Sequence, residues 1–307
     1  MKALQINPPR TSGDGFIIVT VLWILAALAT LVSIYAVYVM NTASAFSLHQ
    51  DRLQSEALVT AAVELAAYQL TATPGLSRPK RGSLNFQMGN ANVAVTFQTE
   101  AARIDLNGAP KELLAGLFVA LDVNPDSAAN YADRIVSWRT PPSKDQDPSF
   151  ASGATGDGYV PRGARFPHVN ELALVPGLPT AVVERMLPMV TVYSGRPQVN
   201  VFEATPEVLA ALPGMTKDRL DAVLVQRQVP GDGQALLKLL GPAQNYATTE
   251  GSNASRVDVR IAYDNGRRSH SEVIILPFDE GNEPYSILSW DDGLEPPIHD
   301  ELGMALR

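Results

Sequence analysis

Apolar positions run unbroken through the first long segment of the chain. Between Phe16 and Met40, 25 residues pass without a charged side chain, and the next charge is Asp51. At 1.5 Å per residue this is about 37 Å of helix, beyond the roughly 20 residues that cross a hydrocarbon core. Residues 41–72 keep a helical pattern with polar relief. Leu58, Ala62, Leu65 and Gln69 recur at helical spacing, Glu56 and Glu64 interrupt the apolar positions, and the first breaker is Pro74-Gly75. The pattern predicts one helix from about Phe16 to about Ala72. Its first half, residues 16–40, suits lipid; its amphipathic second half, residues 41–72, suits packing on a globular domain.

After the breaker the period changes from helical to alternating. Leu84, Phe86 and Met88, then Val93, Val95 and Phe97, alternate with polar residues on either side of Gly89-Asn90, which predicts a β-hairpin. The C-terminal part repeats the arrangement: "SRVDVRIAY" and "SEVIILPF" flank Asp264-Asn265-Gly266, and "YSILSW" follows. Residues 104–252 between these strand regions read as helical. A hairpin alone cannot bury a face, so a helical insertion between strands of one sheet is the simplest arrangement.

The insertion carries a repeat. "LALVPGL" (Leu172 to Leu178) and "LAALPGM" (Leu209 to Met215) share one pattern, and each precedes an amphipathic helix. Thr180 and Thr216 are placed as N-caps, while Asn170 and Thr205, the latter before Pro206, open the preceding helices. This is the helix-hairpin-helix pattern, with Pro176, Gly177, Pro213 and Gly214 in its turns. "DLNGAPKELLAGLF" is a weaker relative that lines up with "VFEATPEVLAAL". Hairpins of this kind bind DNA through main-chain N–H groups on phosphate. Here residues 103–250 hold 13 basic against 16 acidic residues, and Lys217 is the one cation beside a hairpin glycine. Such a balance favours hairpins as packing units of a small helical domain.

Composition narrows the function classes further. A formal net charge of −8 over 307 residues argues against nucleic acid as partner, and the lack of cysteine excludes disulfides, thiolate metal sites and thiol nucleophiles. His49, His168, His270 and His299 are scattered without metal spacing, and neither a G-x-S-x-G elbow nor a phosphate loop is present. The sequence therefore reads as non-enzymatic. The apolar run is too long for an ordinary cleaved signal, and Lys2 and Arg10 ahead of it favour a cytoplasmic N-terminus with an exported body.

The opening helix resembles that of type IV pilin-like proteins, in which a prepilin peptidase cuts between glycine and phenylalanine. The matching bond is Gly15–Phe16, which makes residues 1–15 the leader. The fifth position after the cut, usually glutamate, is Thr20 here. A carboxylate in an apolar bundle needs a partner charge, so Thr20 fits a subunit with no neighbour above it, or else counts against the pilin reading. Further motifs carry a resemblance over nearly the whole chain to the type II secretion minor pseudopilin K family (general secretion pathway protein K). They are "RIDLNGAPKELL", "YADRIVSWRTPP", "FPHVNELALVPGL", "PMVTVYSGRPQVNVFEATPEVLAALPGM" and "YSILSWDDG".

The resemblance implies an α+β fold. A pilin-like long N-terminal helix packs on an antiparallel sheet, and a large helical, helix-hairpin-helix (SAM-like) domain is inserted between strands. Residues 73–103 would form the first part of the sheet, residues 104–252 the insert, and residues 253–307 the last strands and a tail. It further implies a single-pass protein of the bacterial inner membrane whose body is periplasmic. The work is structural, at the tip of the pseudopilus, where it starts assembly and supports export of folded proteins across the outer membrane. Its partners would be minor pseudopilins of the I and J types, the major pseudopilin, the prepilin peptidase and the inner-membrane secretion platform. The family binds calcium in the loop after its "WRD"-like motif, which makes Asp145, Asp147 and Asp157 candidate ligands. A solvated acidic loop without an ion is the other reading, because Ser137, Thr140 and Ala154 stand at commonly acidic positions. Phe202-Glu203 departs from the Asn-Thr of the family motif, so the cap there is expected to be built differently. Two competing functions remain: a membrane-anchored DNA receptor of the competence type, and an anchored periplasmic domain that never assembles.

Overall fold

The computed structural model describes residues 14–72, 78–141, 162–229, 233–278 and 283–293. The first helix, α1, runs from Asp14 to Thr71 without interruption. The chain divides into two compact units, Met1–Ala57 and Leu58–Arg307.

In the first unit the side chains of the apolar run are exposed all round, Phe16 to 76%. Phe16–Thr42 is long and apolar enough to cross a membrane, with a mean hydropathy of 2.7. Its threonine and serine hydroxyls bond within the helix: Thr20 Oγ1 donates to the Phe16 carbonyl at 2.9 Å, Ser33 to Ala29 at 2.9 Å and Thr42 to Tyr38 at 2.9 Å. That satisfies polar groups where lipid offers no partner.

The second unit holds a five-stranded antiparallel sheet of order β1-β2-β7-β8-β9. The strands are β1 (Arg81–Met88), β2 (Ala91–Thr99), β7 (Ser255–Tyr263), β8 (Arg268–Pro277) and β9 (Tyr285–Asp291). Both expected hairpins form, with Gly89 (φ 59) and Gly266 (φ 83) in the left-handed region that their turns require. Val93, Val95 and Phe97 of β2 and Val257, Val259 and Ile261 of β7 point to one face, where α1 covers them. Met88 is half exposed, because β1 is the sheet edge and Met88 lies at its turn end.

The face that α1 buries is Leu58, Val59, Ala62, Val63, Ala66, Ala67 and Leu70. Leu65 and Gln69 are exposed. At 100° per residue the buried residues centre about 90° round the helix from Leu58. The stripe expected from spacing thus lay along one edge of the true face, which continues through Val59, Leu70, Val63 and Ala67 on the other side.

β2 and β7 are direct neighbours although 155 residues separate Thr99 from Ser255, counted as positions 100–254. That intervening chain forms a helical body with its own core, which includes Leu114, Leu117, Phe118, Ile135, Trp138, Leu172, Met186 and Leu209. In order it contains β3 (Ile104–Asp105), α2 (Lys111–Ala120), α3 (Pro125–Arg139), a 3₁₀ segment (Val169–Leu174), α4 (Thr180–Met186) and β4 (Val190–Thr191). Then come β5 (Val199–Asn200), α5 (Pro206–Ala210), α6 (Lys217–Gln226), α7 (Gly233–Leu239) and β6 (Ala247–Thr248). β3 pairs in parallel with β4, and β5 with β6. Each half of the insert therefore starts and closes on a pair of short parallel strands. The weak relative at Asp105 is the start of a full structural repeat. α2 meets α5 closely at Gly116, where a Cβ would come within 1.9 Å of the Ala211 carbonyl oxygen.

Two expected caps are corrected. Thr180 lies inside α4, whose cap position is Pro179 with no side-chain bond. Asn170 does not open a helix. His168 does, its Nδ1 accepting the Asn170 N–H at 3.2 Å, and the segment that follows is 3₁₀. Pro179 has no side-chain acceptor, so α4 begins without a side-chain cap on its first N–H groups. Thr205 and Thr216 cap α5 and α6 as expected, accepting from Val208 and Arg219.

Candidate functional site

Gly15 and Phe16 lie in the first turns of α1, so their shared peptide bond belongs to the helix. Thr20 is exposed, neutral, and turned back on the Phe16 carbonyl. The fifth position after the Gly15–Phe16 bond thus carries neither a charge nor an uncommitted hydroxyl proton.

The hairpin residues lie in two turns of one design, and the structure adds a third. Gly177 and Gly214 both have φ +74, and Asp122, between α2 and α3, has φ 65. Two residues after each comes the cap position of the next helix: Asn124, Pro179 and Thr216. The sequence reading missed the first hairpin because aspartate, which tolerates the left-handed region, stands where the pattern has glycine. An arginine donates to a main-chain carbonyl in every turn. Arg185 reaches Leu121 at 3.1 Å, Arg134 reaches Pro176 at 2.6 Å, and Arg219 reaches Gly214 at 2.7 Å. The first two are reciprocal: Arg134 sits on α3, after the first hairpin, and Arg185 on α4, after the second. A Cβ on Gly177 would come within 2.1 Å of Arg134 Nη1, whereas nothing lies within 4 Å of one on Gly214.

The seam between insert and sheet holds a buried cluster of charged side chains. Glu100, fully buried in the 3₁₀ turn Glu100–Ala102, accepts Arg256 Nε at 2.7 Å and Nη2 at 3.2 Å, and also the Thr191 hydroxyl. Arg256 reaches on to Glu272 at 2.6 Å. Burial alone would raise the Glu100 carboxyl, but Arg256, Arg103 and Thr191 together hold it below the ordinary glutamate value. A lowered carboxyl contributes stability that is complete above the ordinary value of 4.5 and is lost as pH falls through the folded value. Beside it, the Thr99 hydroxyl meets the Ser252 hydroxyl at 2.9 Å, and Ala101 N–H donates to Ser252 Oγ at 3.1 Å. Both chain crossings into and out of the insert are thereby tied together. Glu100 and Arg256 are 156 positions apart, and no local pattern announces the pair.

The repeat explains Phe202-Glu203. Asp105 Oδ1 accepts the N–H groups of Asn107 (2.7 Å) and Gly108 (3.1 Å), and Asn200 Oδ1 accepts those of Phe202 (2.9 Å) and Glu203 (3.2 Å). The same turn is built with either side chain, so the family's Asn-Thr is not required for it. Asp105 also accepts the Gly195 N–H at 2.6 Å, while Asn200 donates to the Glu250 carbonyl at 2.9 Å. Burial raises the Asp105 carboxyl against the lowering effect of its N–H partners. Asp145, Asp147 and Asp157 lie outside the described residues. His270 on β8 contacts Asp258 on β7 at 2.6 Å across the sheet.

Comparison with known proteins agrees with this geometry. Residues 90–195 match the family model for type II secretion system (T2SS) protein K. No curated protein matches the chain. The fold is similar to that of a chain in the crystal structure of the GspK–GspI–GspJ complex of the enterotoxigenic Escherichia coli type 2 secretion system. The TM-score is 0.60 at 17% identity, over 80% of this chain and 98% of that one. The resemblance to protein K and the α+β fold are both borne out.

Proposed function

We propose that this chain is a minor pseudopilin at the tip of the type II secretion pseudopilus, where it starts assembly with pseudopilins of the I and J types. The observation that carries the reading is the opening of α1. Residues 16–40 hold no charge, and the side chain at position 20 is bonded to its own helix. Leaving lipid for a bundle of like helices exchanges one apolar surrounding for another. A buried glutamate at Thr20 would cost several kcal/mol without a neighbouring amine. Thr20 removes that requirement, which suits a subunit with nothing stacked above it. The protein K match and the likeness to a chain of the GspK–GspI–GspJ complex support the same partners. In this reading the N-terminus is cytoplasmic, the body is periplasmic, and a prepilin peptidase releases residues 1–15. We further propose, from the resemblance of this acidic loop to the calcium loop of the protein K family alone, that Asp145, Asp147 and Asp157 take calcium. Dialysis against labelled calcium, with and without their joint replacement by asparagine, tests it, and no bound calcium makes the loop a solvated acidic one.

The test of the main reading is Gly15→Ala expressed with its secretion partners. Full-length chain should accumulate, and co-purification of the I- and J-type pseudopilins should fall. Normal secretion by a chain that keeps Met1 and purifies alone would overturn the reading. Thr20→Glu should leave processing intact and reduce assembly.

A further inference from the structure

The seam also forms an open cleft where the chain enters β1. Its volume is about 290 Å³, and it is lined by Arg78, whose Nε donates to the Leu70 carbonyl, by Lys80 and Arg196, and by Glu250, the one carboxylate among the described lining residues. Arg78 and Lys80 come from the chain just ahead of β1, and Arg196 comes from the insert between β4 and β5. In a chain with a formal net charge of −8, this is a local excess of positive charge. We propose that the cleft binds a carboxylate-bearing peptide segment of a partner protein.

Three features argue for this occupant. Lys80 Nζ is anchored on the Thr249 carbonyl, a neutral acceptor that orders the ammonium without cancelling its charge. Thr99 and Ser252, whose hydroxyls are bonded to each other at 2.9 Å, line the cleft with Gly251 and fix its wall beside the cations. Arg196 pairs with Glu250 at 3.0 Å, and the Glu250 side chain is 53% exposed. An ion pair this exposed is weak, so an incoming carboxylate displaces Glu250 from Arg196 at small cost. A volume of about 290 Å³ is on the scale of a few side chains, which suits acidic side chains on an extended peptide. Glu250 then acts as an internal placeholder for the ligand. The proposal stands on the seam alone and is independent of whether α1 assembles into a filament.

The test uses the full chain in detergent with a fluorescein-labelled hexaglutamate peptide, read by anisotropy at low salt. Saturable binding is expected, weakening as salt screens the charges. Arg196→Gln should weaken it about tenfold, the scale of one charge-assisted hydrogen-bonded pair. Glu250→Gln should tighten it several-fold, because the placeholder is gone. Arg260→Gln removes a cation from the separate cleft on the outward sheet face and should leave affinity unchanged. Unchanged thermal melting in all three variants confirms that the fold is intact. The proposal is overturned by an absence of saturable binding, by no gain in Glu250→Gln, or by equal losses in Arg196→Gln and Arg260→Gln. Binding of citrate without binding of the peptide would also overturn it, by making the occupant a free acid.

Discussion

The first two hairpins of the insert and the third are the same turn held in different ways. Asp122 and Gly177 sit in turns clasped by each other's helices, through Arg185 and Arg134. Gly214 sits in a turn held by Arg219, five residues further along the same segment. The first two therefore depend on tertiary packing and lock α3 and α4 together, whereas the third is a local device. A turn of identical backbone shape can thus be a joint between elements or merely the end of one.

Substitutions separate these cases. The largest effect is expected at Gly177→Ala. A left-handed alanine costs about 1–2 kcal/mol, and the Cβ displaces Arg134 from Pro176, which removes a hydrogen bond worth about 1 kcal/mol. Chemical denaturation of the full chain in detergent should show a loss of about 2–3 kcal/mol. Next comes Gly214→Ala, with open space around the new methyl group, which should lose the backbone contribution alone, about 1–2 kcal/mol. Arg134→Ala should cost about 1 kcal/mol by the same measurement. In that background Gly177→Ala should fall to the cost of Gly214→Ala, because the clash is gone, and additive losses instead would break the comparison. The smallest effect is at Asp122→Gly. It relieves a left-handed aspartate at the expense of a weak 3.5 Å contact with Arg185, for a gain of about 0.5 kcal/mol in thermal melting.

The sheet and the hairpins differ in how far their sequence could be read. Alternation in "NVAVTF" and "SRVDVRIAY", with Gly89 and Gly266 at the turns, located every strand of the hairpins, because a period of two and a left-handed glycine are local properties. The third hairpin was equally legible through "LPGM" and Thr216. The first was not, since Asp122 carries no glycine signal and its partner Arg185 lies 63–64 positions away, measured from Asp122 and Leu121. α1 is a middle case. Its existence and length follow from composition, but Leu65 was assigned to the wrong side. Which part of an alanine-rich surface becomes the buried face depends on the sheet that covers it.

The sequence alone determined that a long uncharged helix opens the chain, that strands flank a helical insertion, and that Thr20 has no charge. Each of these depends on residues close together in the chain, so the pattern carries the physics. Only the tertiary structure decided that Glu100 lies buried against Arg256, that Arg134 and Arg185 clasp opposite turns, and that Arg78, Lys80 and Arg196 share one cleft. Those outcomes depend on which distant segments are brought within hydrogen-bonding distance, and Coulomb energy at that range follows from folded distance rather than from position along the chain.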